Sequence, residues 1–178
     1  TELRYAADTW DRASTILGAY ADQWTQARRR ACVADLAAPE PLPPLNVARV
    51  RCLDRRRADF EALLGTFAAP EPKTVDRAVD AASTIPGLAE CDEAVLLRAQ
   101  LEHRSGRATA GSAELYGQVS AADAAFRTGD DVGAIAQAER LVDEAWAADD
   151  PELTALGALV LTKAARRSGA LDRSLEAA

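Results

Sequence analysis

The first 38 residues of the chain carry apolar or small side chains at an unbroken spacing of three or four. This pattern predicts a long helix that packs lengthwise on another helix. The prolines of APEPLPPL, at 38–45, lack backbone donors and disfavour helix in the preceding residue, so we expect the helix to stop there. The series consists of Leu3, Ala6, Trp10, Ala13, Leu17, Tyr20, Trp24, Ala27, Ala31 and Ala34.

A second helix is predicted after the prolines, with Asn46 as its cap, and it continues the same spacing to about Ala69. Two long helices joined by a short loop lie antiparallel, so residues 1–69 are predicted to form a helical hairpin hinged near Leu42. The apolar positions of this second helix are Val50, Leu53, Phe60, Leu64 and Phe67, with Arg57 in one slot.

Residues 28–57, RRRACVADLAAPEPLPPLNVARVRCLDRRR, are close to their own mirror image about Leu42. In an antiparallel hairpin, residues equidistant from the hinge lie at the same height. We therefore expect Cys32 beside Cys52, and the triplet Arg28, Arg29 and Arg30 beside the triplet Arg55, Arg56 and Arg57.

Residues 70–107 are predicted to form short connecting helices. The prolines of PEPK at 70–73 are expected to interrupt the helix, and a new helix follows from Thr74. Pro86-Gly87 is expected to form a turn, and EAVLLRAQLEHR at 93–104 another helix.

Residues 108–178 carry an internal repeat, in which matching residues lie 40 positions apart. A fixed period of this size is typical of stacked helical hairpins. Gly129 and Gly169 are expected to end their helices in a left-handed cap, and Asp150-Pro151 to open the helix of the second unit. The matching pairs are Tyr116-Gly117 with Leu156-Gly157, Ala124-Ala125 with Ala164-Ala165, Arg127 with Arg167, and Gly129 with Gly169.

Composition agrees with an all-α protein, because 48% of the residues are apolar, many of them alanine, and only 5% are aromatic. The net charge of −7 argues against nucleic acid as a partner. No apolar run is long enough for a membrane span. The chain begins at Thr1 and contains no methionine, so we expect it to be a piece of a longer protein.

The residue types argue against an enzyme. His103 is the only histidine, so acid–base catalysis has one candidate, and its neighbours are those of an exposed helix end. Three widely spaced cysteines do not supply a zinc site, and the chain has no glycine-rich phosphate loop. We expect no metal and no cofactor.

The arginine triplets and the cysteines each allow two interpretations. The arginines are either neutralised by Asp35, Asp54, Asp59 and Glu61, or form a basic belt that docks an acidic partner or lipid headgroups. The cysteines are either buried thiols, or Cys32 and Cys52 form a disulfide that leaves Cys91 unpaired. Equal height in the hairpin favours that disulfide, whereas a strict 3-4 seam would turn the two cysteines to opposite sides. A straight helix drifts by about 20° per heptad from such a seam, so both interpretations stay open.

Three segments together resemble the region after the kinase domain in large serine/threonine protein kinases of myxobacterial type. They are WDRASTILGAYADQWTQARRRACVADL, RVRCLDRRRADFEALLGTF and DRAVDAASTIPGLAECDEAVL. The resemblance rests on Trp10, Tyr20 and Trp24, on Ala31-Cys32, on Arg51-Cys52-Leu53 with Arg56, and on Pro86 with Cys91.

The resemblance implies a helical segment followed by tetratricopeptide repeats, attached to a kinase and often to a membrane span. Leu156-Gly157 stands where that repeat has its Leu-Gly pair, although the period here is longer than the usual 34 residues. No kinase catalytic residue matches, since His103-Arg104-Ser105 lacks the aspartate of the catalytic loop. A cross-linked hairpin would favour the extracytoplasmic side of the membrane, because disulfides persist in oxidising compartments.

The sequence therefore predicts a non-catalytic module that binds a partner protein or peptide on the inner face of its repeats. An alternative is that the hairpin pairs two copies of the chain through Trp10 and Trp24, bringing kinase chains together. The candidate partner-binding residues are Tyr116, Gln118, Asp123, Arg127 and Lys163.

Overall fold

The computed structural model describes residues 5–36, 44–98 and 112–170, apart from the side chains of Asp35 and Ser112. Regular backbone within these ranges is helical throughout, which confirms the all-α prediction. No helix within them is long and apolar enough to cross a membrane. The expected hinge at Leu42 and the single histidine, His103, lie outside the described residues.

Six α-helices are numbered here in chain order. A 3-10 turn at Ala89–Cys91 and helical backbone at 94–98 lie between the third and the fourth. The helices are α1 (Ala6–Leu36), α2 (Pro44–Ala68), α3 (Pro72–Ser83), α4 (Ser112–Arg127), α5 (Asp131–Ala147) and α6 (Pro151–Ser168).

Helices α1 and α2 form an antiparallel pair along which aromatic side chains make the contacts. The Trp24 indole N–H donates to the Leu53 carbonyl at 2.7 Å. Tyr20 stacks on Phe60 with ring centroids 5.5 Å apart, and Trp10 meets Phe67 edge to face at 6.3 Å. Helix α3 closes the open end of the pair through its alanines, which share an apolar cluster with the side chains of Ala13, Leu17 and Leu63.

The register of this pair differs from the predicted one. Trp24 lies level with Leu53, and Arg30 lies level with Arg49, since both arginines reach Asp92 at 3.5 and 3.3 Å. The sequence position halfway between the two members of each pair is near 39, whereas the predicted hairpin has it at Leu42. Helix α2 begins at Pro44, because proline fits the first helical position, and the expected cap Asn46 lies inside the first turn.

This offset explains why the expected disulfide is wrong. Cys52 bonds to Cys91, with Cα atoms 5.4 Å apart, and Cys32 is a free, exposed thiol. Cys52 and Cys91 are 4% and 1% exposed in an apolar cluster with Leu53 and Leu97. Cys32 lies on the exposed face of α1, whereas Cys52 points into the core. The disulfide therefore fixes α2 to the connector after α3, and not to α1.

The same offset separates the two arginine triplets, so the prediction that they lie side by side is wrong. Arg28 is half-buried and Arg29 is exposed. The arginines of the second triplet leave α2 in different directions toward different carboxylates. Of the expected acidic partners Asp59 and Glu61 take part, and Glu90, Asp92 and Glu152 also contribute. The pairs are Arg30–Asp92 at 3.5 Å, Arg55–Glu152 at 3.4 Å, Arg56–Asp59 at 3.1 Å, Arg56–Glu90 at 2.9 Å and Arg57–Glu61 at 3.6 Å.

Helices α4, α5 and α6 pack on one another around a core of small residues. Gly157 of α6 comes so close to α5 that an added Cβ would lie 3.0 Å from Val142 and 3.2 Å from Leu141. Small side chains therefore set the close approach of the helices. The core residues of this stack are Ala122, Ala125, Ala134, Ile135, Ala138, Val160, Leu161, Ala164 and Ala165.

The helix ends in this stack follow the expected chemistry. Gly129 and Gly169 have φ of +89° and +79°, the left-handed conformation that favours glycine. Asp150 caps α6, its carboxylate accepting from the Leu153 N–H at 3.1 Å, and Pro151 is the first helical residue. Asp130 caps α5 in the same way through the Gly133 N–H, at 3.2 Å.

Candidate functional site

A cleft of about 260 Å³ lies between α2, α4 and α6. Helix α4 forms its floor, and α2 and α6 form its two walls. The polar and charged side chains that line it are Arg55, Arg56 and Asp59 of α2, Tyr116, Ser120, Asp123 and Arg127 of α4, and Glu152 and Lys163 of α6.

One end of the cleft is closed by three side chains, one from each helix. The Tyr116 hydroxyl donates to Glu152 Oε1 at 2.5 Å, and Arg55 Nη1 lies 3.4 Å from the same oxygen. The Arg55 guanidinium carbon lies 4.3 Å above the centre of the Tyr116 ring. A cation stacked on an aromatic face and paired with a carboxylate is held in one orientation. This group therefore ties α2 to both α4 and α6.

A second polar group joins α2 to α4 in the middle of the cleft. Asp59 accepts from the Ser120 hydroxyl at 2.7 Å and pairs with Arg56 at 3.1 Å. Ser120 is 5% exposed, so its hydrogen bond satisfies a buried polar group. Arg56 also reaches Glu90 at 2.9 Å, which extends the group to the connector that carries Cys91.

Tyr20 of α1 lies behind this second group. Burial raises the pKa of Tyr20 to about 12; the nearby charge of Arg56 lowers it, and that of Asp59 raises it. Its hydroxyl donates to the Pro86 carbonyl at 3.1 Å, a hydrogen bond that requires the protonated phenol.

The far end of the cleft holds Arg127 and Lys163. Arg127 pairs with Asp123 one turn earlier, at 2.5 Å, and donates to the Thr84 carbonyl at the C-terminus of α3. Lys163 is exposed on α6 at the rim. Arg167, which lies 40 positions later on α6, donates to the Phe126 carbonyl and to Asp131, the latter at 2.7 Å.

Four of the five candidate partner-binding residues line this one cleft, namely Tyr116, Asp123, Arg127 and Lys163. Gln118 does not, because it leaves the opposite side of α4 and donates to Glu144 of α5 at 2.9 Å. Sequence reasoning missed the contribution of α2, whose Arg55, Arg56 and Asp59 form a wall of the cleft. The arginine triplet was visible in the sequence, but the helix that it would face was not.

Two other features bear on the expected chemistry. Within 5–36, 44–98 and 112–170, no three His, Cys, Asp or Glu side chains are grouped so that they could hold a metal ion. Of the two tryptophans expected to mediate self-association, Trp24 is half-buried and bonded inside the hairpin, whereas Trp10 is 49% exposed. Trp10 borders an apolar recess of about 250 Å³ with Phe67, Pro70 and Val75.

Comparison with known proteins finds no match to a family model, to a curated protein or to a solved structure.

Proposed function

We propose that this chain is a non-catalytic interaction module that binds a partner protein or peptide in the cleft between α2, α4 and α6. The observation that carries the proposal is the contrast between the base of the cleft and its rim. The base is held by paired charges from three helices, whereas Leu159, at the rim, is 50% exposed. A site held in place before binding loses little conformational freedom when a ligand arrives.

The lining favours a ligand with one apolar and one acidic group. Leu156 and Leu159 of α6 supply apolar surface, and Lys163, one turn further, supplies an exposed positive charge. Arg55, Arg56 and Arg127 are already paired with carboxylates, so they position the walls of the cleft. We infer that Leu159 and Lys163 make the specific contacts.

The likeness to the helical region of myxobacterial-type kinases supports a regulatory setting for this binding. In that setting the helices α4 to α6 belong to a tetratricopeptide-like array, and partner binding regulates an attached serine/threonine kinase. The 40-residue spacing of the two similar helix ends supports the repeat.

The buried disulfide supports a place outside the cytoplasm. Structural disulfides form and persist in oxidising compartments and are rare in the cytosol. Because Cys52 and Cys91 both lie inside an apolar cluster, their bond is part of the fold and not an exposed regulatory thiol pair. We propose that the module lies on the extracytoplasmic side of the parent kinase.

The binding proposal is tested with phage-displayed random peptides selected on the wild-type chain. The affinity of the best peptide is then measured by titration calorimetry against Lys163→Glu and Leu159→Asp. Both residues are exposed, so the fold should survive both changes. We expect each variant to weaken binding at least about tenfold, since each removes a contact at the rim.

Arg166→Glu is the matched control, because Arg166 is exposed on the same helix but does not line the cleft. It should leave the affinity unchanged. Peptides that bind the wild type and both rim variants equally well would contradict the proposal, as would an equal loss in the control. Arg127→Glu is a poor test, since it would also release the C-terminus of α3.

A further inference from the structure

The apolar recess that Trp10 borders lies at the end of the hairpin opposite the hinge, where α1 begins, α2 ends and α3 begins. It measures about 250 Å³, and none of the eight described residues that line it carries a charge. It shares no lining residue with the cleft between α2, α4 and α6. What the recess binds is therefore a separate question from partner binding in the cleft.

One polar side chain that lines the recess is buried without a partner. Four polar side chains are buried in the described part of the chain. Three of them are hydrogen-bonded, as buried polar groups usually are: Ser120 to Asp59, Thr128 to the Ala124 carbonyl, and Asp150 to the Leu153 N–H. The fourth is Thr74, which is 6% exposed and whose hydroxyl has no hydrogen-bond partner among the described residues.

The position of Thr74 in α3 explains the missing partner. Inside a helix, a threonine hydroxyl can donate to the carbonyl four residues earlier, as that of Thr154 does. Thr74 is the third residue of α3, so the residue four positions earlier, Pro70, precedes the helix. The carbonyl three positions earlier, that of Glu71, already accepts from two backbone N–H groups. The Thr74 hydroxyl is therefore left for a group that enters the recess.

The walls and the size of the recess define the rest of the ligand. Trp10 is 49% exposed and meets Phe67 edge to face, so aromatic surface is available at the recess. Aromatic side chains pack well against the faces and edges of other rings. An apolar cavity of about 150 Å³ holds benzene, so this recess has room for one ring with a small substituent. Because its lining is uncharged, an ionised ligand would lose hydration without gaining a counter-charge.

We propose that the recess is a binding site for a small, neutral aromatic molecule that carries one hydrogen-bonding group. The ring lies against Trp10 and Phe67, and the polar group bonds to the Thr74 hydroxyl, which can both donate and accept. A phenol fits this description, because its ring is apolar and its hydroxyl supplies the missing partner.

The test uses three probes that share one ring and one methyl group. p-Cresol carries a neutral hydroxyl, toluene carries no polar group, and 4-methylbenzoate carries a negative charge. Each probe is titrated into the nitrogen-15-labelled chain, and the indole N–H signals of its three tryptophans are followed by NMR. Trp24, which is bonded inside the hairpin, and Trp146 of α5 are internal controls, since neither lines the recess.

We expect p-cresol to shift the Trp10 signal saturably and to leave the other two signals in place. p-Cresol should bind about fivefold more tightly than toluene, because it gains one hydrogen bond. 4-Methylbenzoate should bind at least about tenfold more weakly than p-cresol, because its charge finds no partner in the recess.

Thr74→Val replaces the hydroxyl with a methyl group of nearly the same size and removes no hydrogen bond of the hydroxyl within the described fold. The ratio of the p-cresol affinity to the toluene affinity should then fall to about one. A small change in the shape of the recess affects both probes alike, so the ratio still reports the hydroxyl. Thr162→Val is the matched control, because Thr162 lies on α6 outside the recess, and it should leave the ratio unchanged.

Any of four results would overturn the proposal. The first is that p-cresol produces no saturable shift of the Trp10 signal. The second is an equal shift of all three indole signals, which indicates nonspecific contact. The third is an affinity ratio that Thr74→Val does not change. The fourth is a Trp10 signal that moves with protein concentration in the absence of a probe, which would show that a second copy of the chain occupies the recess.

Discussion

Tyr20 shows how one half-buried hydroxyl can link the hairpin to the connector after α3. Its ring stacks on Phe60 of α2, and its hydroxyl donates to the Pro86 carbonyl. The hydroxyl can make this bond only as the protonated phenol. Because burial raises its pKa to about 12, Tyr20 stays protonated at pH values at which an exposed tyrosine begins to ionise.

Because of this raised pKa, the free energy of unfolding depends on pH in the alkaline range. In the unfolded chain Tyr20 titrates near pH 10, and in the folded protein near pH 12. Between these values the folded state binds more protons than the unfolded state, so the free energy of unfolding falls as pH rises. The contribution is present in full below pH 10 and lost above pH 12.

Urea unfolding at pH 9, 10 and 11 should show this fall, and Tyr20→Phe should remove part of it. Absorbance of the ionised phenol should show Tyr20 titrating near pH 12 in the wild type, and this part of the titration should be missing from Tyr20→Phe. A Tyr20 that ionises at the same pH as an exposed tyrosine would contradict the prediction.

At the scale of elements, the ends of α4 and α6 were predictable and the register of α1 on α2 was not. Glycine, aspartate and proline act on their own backbone, so their spacing around Gly129 and Asp150 indicates helix ends directly. The register depends on how a proline-rich loop divides its residues between two helices. Pro44 joins α2, and this shifts every cross-helix pair away from the mirror about Leu42.

The candidate site, too, was only partly predictable from the sequence. The repeat pointed to the five candidate residues, and four of them lie in one cleft, namely Tyr116, Asp123 and Arg127 of α4 and Lys163 of α6. Two facts required the tertiary structure: that α2 forms the facing wall, and that Cys91 approaches Cys52. Both are contacts between residues far apart in sequence, and no local pattern specifies them.

Substitutions at Gly129 and Gly169 should separate backbone strain from crowding. Both have positive φ, so alanine at either position costs about 1–2 kcal/mol. A Cβ at Gly169 meets nothing within 4 Å, whereas one at Gly129 would lie 2.9 Å from Arg77 Cδ. We expect Gly129→Ala to be the more destabilising of the two in urea unfolding, and Gly169→Ala to show the strain alone. Equal losses would mean that Arg77 moves aside without cost.

At the scale of the whole molecule, the disulfide and the charged groups of the cleft join the hairpin to the rest of the chain. The disulfide closes a loop with a sequence separation of 39 residues between α2 and the connector. Arg55 and Asp59 join the same helix to α6 and α4, and Arg56 joins it to Glu90 of the connector. Helix α2 therefore joins the hairpin to the connector, to α4 and to α6, and Arg127 adds a second link from α4 to the end of α3.

Cys91→Ser should lower the free energy of unfolding by about 4 kcal/mol, the value expected for closing a loop of this length in the unfolded chain. Cys32→Ser should have little effect, because Cys32 is exposed and unbonded. Alkylation of denatured wild-type protein without reductant, followed by peptide mapping, should find Cys32 as the one free thiol. Three free thiols would contradict both the bond and the proposed extracytoplasmic location.

Arg127 and Arg167 give the stack of helices a direction. Each arginine extends from the end of its own helix to a carbonyl at the C-terminus of an earlier one, Thr84 after α3 and Phe126 in α4. In both cases the later helix supplies the arginine donor and the earlier helix supplies the carbonyl. The two contacts are therefore polar in the same direction, because each joins an arginine side chain on one helix to a backbone carbonyl at the end of another.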